Sequence, residues 1–188
     1  MLQCYDIVSK IKSVDFNGKK SMVVGNNSLQ VIETMDVFAS KLNSRITIDD
    51  RIRGVYLGVA NGVSREELRE RYPNDALLLD KWQIKEISIK DLNVTDMENV
   101  GEFCGRVVDF IQSCANIKNV STFVVVCTTS VMIMIANFIA LGKDFNHESY
   151  YHYNVRNGDY IFTNLKGDMT LELLEASMNI DCYCVKKE

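Results

Sequence analysis

Apolar positions along this chain switch repeatedly between the spacing of a helix face and the short unbroken runs of buried strands. Within Leu2 to Lys12, the residues Cys4, Ile7, Val8 and Ile11 share one helical face. Ser21 to Val24 is a short apolar run closed by Gly25, which predicts a buried strand. Ser28 to Leu42 returns to helical spacing, with Val31, Met35, Phe38 and Leu42 on one stripe. Ile46 to Ile48 predicts a second short strand, and the stretch from Asp50 to Val63 is irregular.

Ser64-Arg-Glu-Glu67 reads as a capping box, because the serine and the glutamate three residues on can satisfy each other's backbone amides. That helix should stop near Tyr72, since Pro73 disfavours helical geometry before it. Ala76 to Trp82 predicts another helical turn or two. Met97 to Cys114 predicts the longest amphipathic helix, with Val100, Phe103, Cys104, Val107, Val108 and Ile111 facing inward.

Thr122 to Val126 carries no polar alternation, as expected of a strand covered on both faces. Ser130 to Leu141 is its following helix. Asp159 to Thr163 and Met169 to Leu173 predict a hairpin across Lys166-Gly-Asp168, and Ile180 to Val185 is a last candidate strand. Such alternation implies an α/β fold, a three-layer α/β/α sandwich with a mostly parallel central sheet. No repeat, low-complexity tract or linker interrupts residues 1–188, so a single domain is expected.

Composition narrows the function classes. The chain is 47% hydrophobic and 24% charged, an ordinary globular balance. A net charge of −4 and a pI near 5.3 argue against a nucleic-acid footprint, which needs a basic face. Phe123 to Leu141 is uncharged and long enough to span a bilayer, but Cys127-Thr-Thr-Ser130 breaks it into strand, polar turn and helix. No membrane association is expected.

The six cysteines form no CxxC pair, and His147 and His152 are the only histidines, so neither a metal site nor a cofactor is expected. Reduced thiols and the absence of a basic, apolar leader point to the cytoplasm.

Several stretches together resemble the histidine phosphatase (phosphoglycerate mutase-like) superfamily. Gly25-Asn-Asn-Ser-Leu-Gln-Val-Ile-Glu-Thr34 is similar to the family's "S-S-x-L-x-R-A-x-Q/E-T" turn and helix. Asp50 to Pro73 resembles the segment from "x-L-x-E" through "G-x-W-E-G" to a helix ending "R-Y-P". Met97 to Cys114 and the Thr122 strand resemble "E-x-x-x-x-x-x-x-R-V" leading into "V-V-x-H-G-G-V-I-R". Val155 to Phe162 resembles the closing "N-G-S-hydrophobic" strand. The resemblance spans Leu2 to Leu173 and implies a phosphoglycerate mutase-like fold.

It also implies a chemistry. Members of the family carry a phosphoryl-accepting histidine in an Arg-His-Gly loop after the first strand. Two arginines and a second histidine hold the phosphate, and a carboxylate donates the proton. A transferring phosphoryl group needs cationic, multidentate donors, and its leaving alkoxide needs a proton. Carried over residue by residue, the second arginine falls on Gln30 and the proton donor on Gly54. The second histidine falls on Thr128, and the glycines after it become Thr129 and Ser130.

The first strand with its Arg-His-Gly is not matched at the N-terminus, where the chain enters what resembles the first helix. Met178 to Glu188 resembles that opening strand in circularly permuted position, which would bring Lys186 and Lys187 to the site. The alternatives are a solvated tail, or a strand donated by a partner subunit.

Other candidates have bland counterparts. Cys127 lacks the arginine that would close a cysteine phosphatase loop, Ile133 standing there, and reads as a small buried hydrophobe. Thr128 to Ser130 either cap the next helix or offer its N-terminal amides, with Thr129, Ser130, Lys186 and Lys187, to an anion. His147 and His152 read as solvated loop residues. Trp82, Tyr150, Tyr151 and Tyr153 are aromatic anchors or core.

The expectation is therefore a domain with no catalytic residues of the family, acting through a protein partner or homo-oligomer. A sensor of phosphorylated ligands is the second reading.

Overall fold

A computed structural model of the chain describes residues 2–13, 20–84, 86–120, 122–142, 151, 153–166 and 168–178. The candidate strand at 180–185, Lys186, Lys187, His147, His152, Tyr150, Cys182 and Cys184 lie outside the described residues.

The first helix, α1 (Leu2–Ser13), leads to β1 (Ser21–Gly25) and then α2 (Leu29–Leu42). Val8 and Ile11 of the predicted α1 face are buried, and Ile7 packs beside them. β1 stops where side chains leave no room. A Cβ on Gly25 would sit 2.5 Å from Val31 Cγ1 and 2.6 Å from Met35 Sδ, so only glycine fits. β2 (Arg45–Ile48) follows, and two 3-10 turns at Asp50–Ile52 and Gly58–Ala60 fill the stretch expected to be irregular.

The short helices run α3 (Arg65–Arg71) and α4 (Pro73–Gln83). Ser64 Oγ accepts the Glu67 amide at 3.1 Å, the N-terminal half of the predicted capping box. α4 is longer than expected because Pro73 begins it: a proline at a helix's first position loses no hydrogen bond. Next come α5 (Val100–Cys114), β3 (Thr122–Val126) and α6 (Thr129–Leu141). In α5, Phe110 is buried with the predicted face, while Val108 is only half-buried.

The last elements, β4 (Ile161–Leu165) and β5 (Leu171–Ala176), make the antiparallel hairpin two residues later than expected. Met169, expected to open the second strand, adopts a positive φ of 66°. The turn is tied by Asp168 Oδ1, which accepts both the Thr170 amide and its hydroxyl.

β1, β2 and β3 form one parallel sheet in the order β2-β1-β3. Side chains alternate across it into two cores. Met22, Val24, Phe123 and Val125 face a cluster with Phe103, Val107 and Ile133, from α5 and α6. Val23, Val124 and Val126 face a second cluster with Val8, Met35 and Phe38, from α1 and α2. Helices on both faces of a parallel sheet make the expected three-layer α/β/α sandwich. Among the described residues no helix is long and apolar enough to cross a membrane.

Candidate functional site

The site lies at the ends of β1 and β3, where parallel sheets of this kind place their ligands. Two loops meet there. One joins β3 to α6 through Cys127 and Thr128, and the other runs from Asp49 to Leu57.

Two of the expected degenerate pocket positions, Gly54 and Thr128, are brought together with Ser130, one of the possible anion-binding residues. A Cβ on Gly54 would lie 3.1 Å from Thr128 Oγ1 and 3.5 Å from Ser130 Oγ. Thr128 and Ser130 share a hydrogen bond between hydroxyls at 3.1 Å, and Ser130 Oγ accepts the Val55 amide at 3.4 Å. The expected side-chain capping of α6 does not occur. Thr128 occupies the cap position without such a bond, its hydroxyl engaged instead with Ser130.

Gln30 and Thr129 stand differently. Gln30 is exposed in the first turn of α2, where its backbone carbonyl accepts the Thr34 hydroxyl at 2.8 Å, and it is not among the groups crowding Gly54. Thr129 is exposed at the start of α6. Lys186 and Lys187 lie outside the described residues.

The Cys127 thiol is pushed up to about 12 by burial, so it is protonated near neutral pH and behaves as the small hydrophobe expected. Tyr153, a candidate anchor, is 2% exposed and belongs to the core. Tyr151 packs edge-on against it, with centroids 5.2 Å apart, and Trp82 is half-buried against the same cluster.

Sequence reasoning missed what holds the site loop. Arg106 on α5 donates to Glu98 through Nε at 2.7 Å and Nη2 at 2.8 Å. The same guanidinium donates to the carbonyls of Arg51 at 2.6 Å, Arg53 at 2.8 Å and Gly54 at 3.1 Å. A planar five-donor group suits such a task. Glu98 in turn accepts the Tyr56 amide at 3.1 Å. Burial works to raise the Glu98 carboxyl, but hydrogen bonds from Arg106 and Tyr56, with the charges of Arg106 and Arg53, hold it below the usual glutamate range. The signal was present in the sequence as the E-x-x-x-x-x-x-x-R-V spacing, Glu98 to Val107.

A second tie sits just past the same end of β1. Asn26, 2% exposed, donates to the Ile52 carbonyl at 3.2 Å and accepts the Ser28 amide at 2.8 Å. It links the β1 turn to the same loop that Arg106 grips.

The layered fold and a site at the strand ends define a phosphoglycerate mutase-like α/β protein. The model of the histidine phosphatase superfamily (branch 1) matches residues 28–169, more than half of the chain, and the chain belongs to that superfamily. No curated protein matches its sequence.

Among solved structures it is similar to Bacillus stearothermophilus YhfR, with a TM-score of 0.65 at 14% identity over 97% of this chain and 82% of that one. It is similar to the alpha-ribazole phosphatase of Shigella flexneri, with a TM-score of 0.65 at 18% identity over 92% and 79%. A mycobacterial glucosyl-3-phosphoglycerate phosphatase in complex with inorganic phosphate gives a TM-score of 0.65 at 8% identity over 95% and 85%. At these identities the likeness is one of fold.

Proposed function

We propose that this chain is a catalytically inactive histidine phosphatase-like domain that works by binding, to another protein or to a second copy of itself. The observation that carries this reading is the mutual packing of Gly54, Thr128 and Ser130. Phosphoryl transfer needs cationic donors on the phosphate oxygens and an acid at the leaving group. These positions supply a residue without a side chain and two hydroxyls already bonded to each other.

The binding half of the reading is supported by the outer edge of the sheet. β2 pairs with β1 alone among the described residues, and its Ile46 and Ile48 are 38% and 45% exposed. An open strand edge with apolar side chains is a template for another chain. Free thiols at Cys104, Cys114 and Cys127 fit a reducing, cytoplasmic setting. No nucleic acid, membrane, metal or cofactor enters this reading.

The second reading, a phosphorylated-ligand sensor, draws on exposed Thr129 and on Ser130 at the start of α6, and on the charges of Lys186 and Lys187, which lie outside the described residues. Thermal unfolding with saturating inorganic phosphate and glucose 6-phosphate separates the two, because a ligand of the native state raises Tm by mass action. The inactive binding domain predicts no shift with either. A saturable rise in Tm, lost in Lys186→Ala/Lys187→Ala, would replace it with the sensor.

A further inference from the structure

Among the described residues β2 is an outer strand of the sheet, and it lacks the usual protections of an edge. Its pairing with β1 runs without a bulge, and its sequence, Arg45-Ile-Thr-Ile48, has no proline. The register with β1 sets its two faces. Ile46 and Ile48 lie opposite Val23 and Gly25, on the α1–α2 side, whereas Arg45 and Thr47 lie opposite Met22 and Val24, on the α5–α6 side. The strand stays extended through Asp49, whose amide donates to the Gly25 carbonyl at 2.9 Å. Backbone groups alternate along a strand, so those of Arg45, Thr47 and Asp49 turn to β1. Those of Ile46 and Ile48 turn outward.

We infer that this edge pairs with the same edge of a second copy of the chain, antiparallel about a two-fold axis at Thr47. The inference rests on the binding reading above and names its partner and register. A strand that meets its own copy across a two-fold axis runs antiparallel, and such a pairing closes as a dimer.

Outward-facing groups must meet outward-facing groups, which allows few registers: Ile46 faces the partner's Ile46 or Ile48, or Ile48 faces the partner's Ile48. Charge selects among them. Arg45 is exposed, and among the described residues its guanidinium has no hydrogen-bond or ion-pair partner. On the same face, Asp49 and Asp109 both pair with Arg51, a group with negative charge in excess. Placing Ile46 against the partner's Ile48 sets Arg45 against the partner's Asp49, and symmetry repeats the pair. Placing Ile48 against the partner's Ile48 would set Arg45 against the partner's Arg51. Placing Ile46 against the partner's Ile46 would set Arg45 against the partner's Thr47 and leave the acids unmatched. The favoured register also packs the exposed isoleucines of both copies together on the opposite face.

Sedimentation velocity of the full-length protein in reducing buffer, over a dilution series, tests the pairing. The expected result is a monomer–dimer equilibrium that Arg45→Glu weakens at least about tenfold in Kd, because acid then meets acid in both symmetric pairs. Register is read by disulfide formation under mild oxidation. Thr47 faces the partner's Thr47 with Cα atoms about 4.5 Å apart, within disulfide reach, so Thr47→Cys should cross-link several-fold faster than wild type. Arg45→Cys, about 14 Å from its own copy, should not exceed wild type. The wild-type sedimentation decides if a variant does not fold. A monomer even at about 100 µM overturns the inference, as does a dimer indifferent to Arg45→Glu. Fastest cross-linking through Ile46→Cys or Ile48→Cys overturns the register. Phosphatase turnover by a dimer that passes these tests would sink the inactive reading and leave the interface standing.

Discussion

Arg106 and Glu98 form a two-pronged ion pair whose guanidinium also grips three carbonyls of the loop carrying Gly54. Side-chain exposure is 15% for the arginine and 8% for the glutamate, so neither charge can be left alone without cost. Arg106→Ala is expected to destabilise the fold by about 3–5 kcal/mol in urea unfolding. Arg106→Lys should recover only a small part, because one ammonium cannot reach the carboxylate and three carbonyls together. Full recovery by lysine would reduce the clamp to a simple charge pair.

The same pair sets an acid limit. Glu98 is held below the usual glutamate range in the folded state, so its contribution is fully present above the unfolded value of about 4.3 and is lost as pH falls through the folded one. Asp49, whose hydrogen bond with Arg51 lowers it against the effect of burial, acts in the same direction. Stability measured from pH 6 downward should therefore decline below about pH 5. Glu98→Gln should be less stable at neutral pH and show a shallower decline. An unchanged slope in that variant would remove Glu98 from the account.

Gly58 is fixed by conformation and by space. Its φ is +57°, and a Cβ would come within 1.9 Å of the Thr95 carbonyl oxygen, which accepts the Val59 amide at 3.0 Å. Gly58→Ala should cost at least about 2 kcal/mol, whereas Gly62→Ala, with open space around it, should cost only the strain of its positive φ, about 1 kcal/mol. Paired thermal melts compare the two.

Asn137 lies in the middle of the most apolar helix and is 1% exposed. It donates to the Tyr151 carbonyl at 2.7 Å and accepts the Tyr151 amide at 2.6 Å, pinning that segment to α6. Asn137→Ala removes both of these hydrogen bonds from α6 to that segment and should destabilise by about 1–3 kcal/mol, read by denaturant titration.

Much of the architecture was legible because it rests on periodicity. The stripes of α2 and the unbroken runs of β1 and β3 name their own layers, and Gly54, Thr128 and Ser130 meet as their motif positions imply. Long-range polar contacts were not legible. Asn137 is one polar residue in an apolar run, and nothing local says that it serves a segment fourteen residues on. Tyr153 sits in an aromatic-rich loop sequence, and only tertiary packing makes it core. The hairpin was misplaced by two residues because the hydrogen bonds of Asp168 draw Met169 into the turn.

The central claim is that Gly54, Thr128 and Ser130 perform no phosphoryl transfer. Hydrolysis of p-nitrophenyl phosphate by the purified protein, set beside Thr128→Ala, tests it most directly. The account predicts release at the buffer rate for both proteins. Turnover well above buffer in the wild type, abolished in Thr128→Ala, would contradict it.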